Sequence, residues 1–161
     1  MIPGKIVRFL EQHANAAFAG SRDRNLVPSG HRVSGWQLGA DGRTLTAFIP
    51  APFADSLVEA MLANGQLAVT LEEFPVHETY QLKGRYLSHR PVRPEEIEIA
   101  NRTRERFARS IRAISPNEAH ANLLRASIAR PTVAVEMEIL EIFEQTPGPG
   151  AGARIFPPTE A

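Results

Sequence analysis

The chain has 161 residues, 43% hydrophobic and 22% charged, with a formal net charge of zero, a composition that suits one globular domain with a substantial core. Neutrality excludes a dominant electrostatic attraction to nucleic acid or anionic membrane and points to a small molecule or another copy of the chain as partner. The absence of cysteine rules out disulfides, thiolate metal sites and a cysteine nucleophile, and the lack of a leader or long apolar span sets the expected location in the cytoplasm.

The first element is a short helix in "KIVRFLEQHA", where Ile6, Val7, Leu10 and Ala14 recur at helical spacing after Pro3 and Gly4. "AAFAGS" reads as a strand and "RDRNLVPSG" as a turn-rich connection. "HRVSGWQLG" reads as a second strand, with His31, Val33, Gly35 and Gln37 on one face and Arg32, Ser34, Trp36 and Leu38 on the other. Asp41-Gly42 supports a tight turn, so "TLTAFIP" returns antiparallel. Phe53, Leu57, Ala60 and Met61 form a helical stripe that Asn64-Gly65 terminates. "QLAVTLEE" and "ETYQLKGRYLSH" follow as strands, the second with Tyr80 and Leu82 on one face and Gln81, Lys83 and Arg85 on the other.

From Pro94 to Ile114 an apolar stripe predicts a longer helix with glutamates near its start and arginines towards its end, as the macrodipole favours. Ser115, Pro116 and Glu118 have the pattern of a capping box for a further helix that Pro131 ends. "TVAVEMEILEIFE" is the last strand, and the shift of its apolar phase at Leu140 and Ile142 predicts a bulge or burial on both faces. The expected fold is therefore mainly β with helices (α+β): a six-stranded antiparallel barrel spanning residues 1–145, with a helical insertion at 94–130 and a Pro/Gly-rich extension at 146–161.

The glycines of "FEQTPGPGAGARIFPP" invite a phosphate-loop reading, but such loops open a helix, and Pro149, Pro157 and Pro158 oppose one. The five histidines lack the paired spacing of a metal site, and no serine sits in a nucleophile elbow. Arg102, Arg104, Arg106, Arg109 and Arg112 make a basic stretch, interrupted by Glu105, that reads first as a solvated helix face. Trp36 reads as core or interface. Gln81 and Lys83 in "TYQLKG" need water or a polar ligand on their face of the strand, since burial without partners costs free energy.

Taken in order, "HRVSGWQL", "DGRTLTAFIPAPFADSLVEAMLANGQLAVTLEE", "TYQLKGRYL" and "EQTPGPGAG" resemble the pyridoxamine 5'-phosphate oxidase-like family of flavin-binding split barrels, a likeness that runs from residue 6 to 152. The resemblance implies a homodimer with FMN in a groove between two subunits. Carried over by position, Arg32 corresponds to an arginine near the FMN phosphate and Ser34 faces the same way. Phe48, Ile49 and Pro50 occupy a strand end that borders the flavin ring, Phe53 to Ser56 match a phosphate-binding segment, and Gln81 and Lys83 resemble polar residues facing the cofactor. The vitamer oxidases carry a basic pair where this chain has Ala54 and Asp55, and a carboxylate there repels a phosphate. The chain also lacks their arginine- and tryptophan-rich ending, which argues against pyridoxamine phosphate oxidation. The expected function is an FMN-binding oxidoreductase-like protein with no protein metal site. The alternative is a non-enzymatic dimeric binding module for a flavin, haem or another anionic ligand.

Overall fold

The structure is a computed structural model that describes residues 1–157, and for Pro52 and Phe53 the backbone alone. The expected cofactor contact of Phe53 thus lies outside the described side chains, and Pro158 outside the described residues. Helix α1 (Gly4–Arg8) runs into a π-helical turn, Phe9–His13. Strands β1 (Ala16–Arg22), β2 (Pro28–Arg32), β3 (Gly35–Leu38) and β4 (Thr44–Pro50) lead to α2 (Ala51–Asn64). Then come β5 (Gln66–Glu73), β6 (Glu78–Pro91), α3 (Pro94–Ile114), α4 (Glu118–Ala126), β7 (Pro131–Glu144) and β8 (Arg154–Phe156).

All strand pairs are antiparallel, in the order β2-β1-β5-β6-β7-β4-β3, with β8 added to β7. The two ends of that order, β2 and β3, are separated in sequence only by Val33 and Ser34, so the sheet has to curl until its ends meet. The backbone N–H of Val33 donates to Ala17 O at 2.9 Å and that of Ser34 to Phe48 O at 2.8 Å, one bond to each side of the seam.

Among the described residues the strands number eight rather than the expected six, for two reasons. "HRVSGWQLG" bends at Ser34 and changes partner there, so it forms parts of two strands, and the predicted faces slip by one residue: Val33 and Trp36 both enter the core while Gly35 faces α3. The closing segment does not trail away: it turns through Gly148 (φ 153°) and Gly152 (φ 89°), and Phe156 pairs with Ile142 of β7. Ile155 and Phe156 pack against the core.

Alternation along the strands sends Leu45, Ala47, Ile49, Val69, Leu71, Tyr80, Leu82, Val135, Met137 and Ile139 inward. Phe9 and Leu10 join this core from the N-terminal helical segment, and Leu57 and Met61 join it from α2. Each large aliphatic side chain so buried is worth about 1.5–3 kcal/mol. Trp36 is core, its Nε1 donating to Leu10 O at 2.9 Å. The phase shift in the last strand is a bulge: Lys83 faces Glu141 and Gly84 faces Ile139, leaving Leu140 as the extra residue.

Helices α3 and α4 pack on the outside of the barrel, across the seam. Ala100 sits on Phe48 and Ala134, and its Cα would stand 2.9 Å from a Cβ at Gly35, so the close approach needs the glycine. Further along, Phe107, Ile111, Ala121 and Ile128 cover Ala16. Arg90 anchors the start of α3 by donating from both terminal guanidinium nitrogens, Nη1 and Nη2, to the buried Glu96 carboxylate at 2.9 and 2.6 Å, while Glu96 also accepts from the Arg93 backbone at 2.7 Å. The cap of α4 is Asn117, which accepts from Ala119 N; Ser115 instead ends α3.

Candidate functional site

The strand register assembles two rows on the outward face of β2, β1, β5, β6 and β7. One runs Arg32, Phe18, Thr70, Gln81, Phe143, and the next runs Gly30, Gly20, Ala68, Lys83, Glu141. Side chains are nearly absent from the β2, β1 and β5 positions of the second row, which leaves a groove of about 630 Å³ bordered by Arg22, Ser29, Lys83, Leu140 and Glu141. A Cβ at Gly20 or Gly30 would meet only ordinary contacts, 3.7 Å from Ser29 O and 3.6 Å from Ala19 O respectively. Packing therefore does not demand these two glycines. Their effect is to keep the floor open, as a closely approaching ligand requires.

Arg32 does not line this groove; it lies in the neighbouring row, opposite Phe18, with its guanidinium packed against α3. Its guanidinium lies 4.6 Å from the Phe107 ring centroid and 5.7 Å from that of Phe18. Nε and Nη2 are buried and have no hydrogen-bond partner among the described residues. Those two nitrogens form the side-on edge of the guanidinium, the pair that grips a carboxylate or phosphate in a bidentate contact. Stacking occupies the face of the group and leaves that edge free. Burial pushes the Arg32 pKa down, and the Glu72 charge opposes the shift.

Gln81 lies three strand spacings from Arg32 along the same row, about 14 Å, and its Nε2 donates to Thr70 Oγ1 at 3.3 Å. Lys83 Nζ sits 4.5 Å from the Phe143 ring centroid. Arg32, Gln81 and Lys83, expected from the sequence as ligand residues, are thus gathered on one face. Phe18, Gly20 and Gly30 belong to the same surface and were not anticipated; the two glycines, each inside a strand, were the available signal.

The other sequence candidates lie elsewhere. Ser34 is buried and its Oγ donates to Ala129 O at 2.7 Å, fixing the end of the helical insertion. Phe48 is covered by Ala100, Ile49 points into the barrel and Pro50 is buried. Ser56 is exposed on α2, where its Oγ is 3.2 Å from His31 Nε2 and 3.3 Å from Ser29 Oγ. This trio belongs to the side of β2 opposite Arg32, although Ser29 also borders the groove. His31 and Ser29 share a face by the period of two, but nothing local announces that α2 brings Ser56 to them. Ala54 packs into the core and Asp55 is exposed. Among the described residues no group of three or more His, Asp or Glu could hold a metal ion.

A curled antiparallel sheet with α2 packed into its core and a helical pair on its outer surface is a split barrel. The chain has the fold of the pyridoxamine 5'-phosphate oxidase-like proteins. HupZ from Group A Streptococcus superposes with a TM-score of 0.55 at 13% identity, covering 95% of this chain and 99% of that one. A putative pyridoxamine 5'-phosphate oxidase from Lactobacillus delbrueckii gives 0.51 at 10% identity, over 88% and 93%. An FMN-binding protein from Syntrophomonas wolfei gives 0.50 at 11% identity, over 84% and 80%. At such identities the likeness is one of fold. No protein-family model matches the chain, and no curated protein matches it in sequence.

Proposed function

We propose that the chain is an FMN-binding, oxidoreductase-like split-barrel protein that works as a homodimer, with the ligand on the outward face of β2, β1, β5 and β6. The observation that carries this reading is the buried, unpaired Nε and Nη2 edge of Arg32, one row along the sheet from a groove with a glycine floor. Arg32 would hold the phosphate. Gly30, Gly20 and Ala68 would accept the flat ring, with Gln81 and Lys83 at its polar rim. Bound there, the isoalloxazine supplies hydride or electron transfer, and the chain supplies orientation and hydrogen bonds. Phe18 is 51% exposed and Leu140 46% exposed on this face, apolar surface that a second copy would cover. Among the described residues no helix is long and apolar enough to cross a membrane, and we place the protein in the cytoplasm.

The second reading is a binding module that carries a flavin, haem or another anion without turnover. Ala54 and Asp55 favour it, since the start of α2 lacks the basic pair of the vitamer oxidases. The visible spectrum of the freshly purified protein separates the two readings. Flavin bands that survive desalting support the first, and a haem band supports the second. No quenching of FMN fluorescence on titration refutes the first outright. Arg32→Ala removes a charge-assisted pair worth about 1.5–3 kcal/mol, a loss of roughly 10- to 100-fold in FMN affinity. Unchanged affinity takes Arg32 out of the site.

A further inference from the structure

The basic stretch of α3 is arranged as a stripe bordered by two cavities. Arg102, Arg106 and Arg109 follow one another at spacings of four and three, which places them on one face of the helix. That face flanks the N-terminal segment: Arg106 Nη1 donates to Ala14 O at 2.9 Å, and Ser110, one turn on, accepts from Asn15 Nδ2 at 2.9 Å. The bond to Ala14 orients the half-buried Arg106, while its Nε and Nη2 stay accessible and without a partner among the described residues. Arg102 and Arg109 are exposed on either side of it.

The carboxylates around α3 are engaged by other groups. Glu96 is held by Arg90 at 2.6 Å, Glu105 by Arg125 at 2.7 Å and Glu118 by Arg112 at 2.9 Å. Glu11 and Glu98 form no ion pair with the stripe among the described residues. Like charges three and four apart on a helix repel, and burial, then the charges of Arg109 and Arg102, push the Arg106 pKa down. Glu73, whose charge opposes that shift, is turned towards His13, 3.7 Å away.

A cavity of about 420 Å³ lies over the stripe, lined by Asn101, Arg102, Glu105, Arg106 and Arg109. Asn101 Oδ1 accepts from Arg104 at 2.9 Å, which leaves its Nδ2 to donate. Arg102 and Arg106 also border a second cavity of about 260 Å³, which runs in beside Leu38 and Ile99. Neither cavity shares a lining residue with the glycine-floored groove. A phosphate dianion would turn the repulsion within the stripe into attraction, because a guanidinium meets phosphate with two parallel N–H groups and adjacent arginines can share its oxygens. Zero net charge disfavours nucleic acid, and bounded cavities suit a small molecule.

We propose that Arg102, Arg106 and Arg109 form a second ligand site, which holds the phosphate or diphosphate group of a small molecule over α3, with the organic part in the cavity beside Leu38 and Ile99.

Calorimetric titration of the full chain with pyrophosphate tests the site. Binding of one equivalent is expected, at least tenfold weaker when Arg102→Gln and Arg109→Gln are combined; both side chains are exposed, and circular dichroism verifies that the variant folds. Arg24→Gln, which removes an exposed charge from the β1–β2 turn, should bind as the wild type does. Phenyl phosphate should bind more tightly than inorganic phosphate, because its ring enters the second cavity. The proposal is overturned if pyrophosphate does not bind, if the paired variant binds it as tightly as the wild type, or if Arg24→Gln weakens binding by as much, which would reduce the effect to overall charge. Equal affinities for phenyl phosphate and inorganic phosphate would also overturn it, as would displacement of pyrophosphate by a lower concentration of a short single-stranded oligonucleotide. None of these measurements uses FMN, so the outcome stands apart from that of the flavin reading.

Discussion

Replacing Gly30 by valine should stabilise the protein and disable its ligand site at once. Gly30 lies inside β2 with its nearest obstacle, Ala19 O, 3.6 Å from where a Cβ would sit. A β-branched residue in a strand interior gains up to about 1 kcal/mol over glycine through its strand preference and the reduced freedom of the unfolded chain. For a domain of this size that corresponds to a rise of about 2–4 °C in Tm. The added isopropyl group points into the groove floored by Gly30, Gly20 and Ala68, where the flat part of the ligand would rest. Loss of that contact should cost at least about 1.4 kcal/mol, a tenfold rise in Kd. Thermal unfolding followed by circular dichroism, paired with FMN quenching, reads both quantities from one preparation. A folded Gly30→Val protein that binds FMN as tightly as the wild type would show that the ring does not lie on this floor. A drop in Tm would show that the glycine serves packing instead.

Gly84→Ala should behave in the opposite way, because a Cβ there would run into the backbone carbonyl of Glu138 and the Met137 side chain; a loss of about 1–3 kcal/mol in urea unfolding is expected. Glu96→Gln removes an ionised partner from Arg90 and should cost about 3 kcal/mol at neutral pH. The Glu96 carboxyl is held below its usual range, first by the Arg90 hydrogen bond and also by the Arg93 backbone. Its contribution is therefore complete above the unfolded value near 4.5 and lost as pH falls through the folded value, so acid titrations of wild type and Glu96→Gln should converge. Tyr80 is pushed up to about 12, chiefly by burial and then by its bond to Glu78. A raised value means stability that is intact below about pH 10 and declines from there towards pH 12, a decline that Tyr80→Phe should lessen in alkaline unfolding curves.

Local chemistry made much of the fold legible. Asp41-Gly42 forms the expected turn, with Gly42 at φ 62° and the Asp41 carboxylate accepting from the backbones of Arg43 and Thr44. Asn64-Gly65 ends α2 with Gly65 at φ 70°. Alternation in "TYQLKG" correctly separated Tyr80 and Leu82 from Gln81 and Lys83. The partner change at Val33–Ser34 was not legible, because the bend at Ser34 that slips the alternation by one residue lies between short polar and glycine positions that carry no apolar signal of their own. Hidden too were the surroundings of Arg32, which depend on Phe107 arriving from α3, and the pairing of Ser34 with Ala129, 95 residues away. The groove itself was invisible as a cavity, since its floor is made by residues that contribute almost nothing to any hydrophobic pattern.

The bulge at Leu140 ties together two positions that are far apart in sequence. With Leu140 inserted, β7 buckles towards β6 and its Glu138 carbonyl occupies the space where residue 84 would carry a Cβ. Removing that single residue would let Glu141 and Ile139 follow one another opposite Lys83 and Gly84 in an unbroken ladder, with every inward and outward assignment unchanged. A chain shortened by one at this point should therefore accept side chains at position 84 that the present one refuses, and insertion at 140 and glycine at 84 should be gained or lost as a pair.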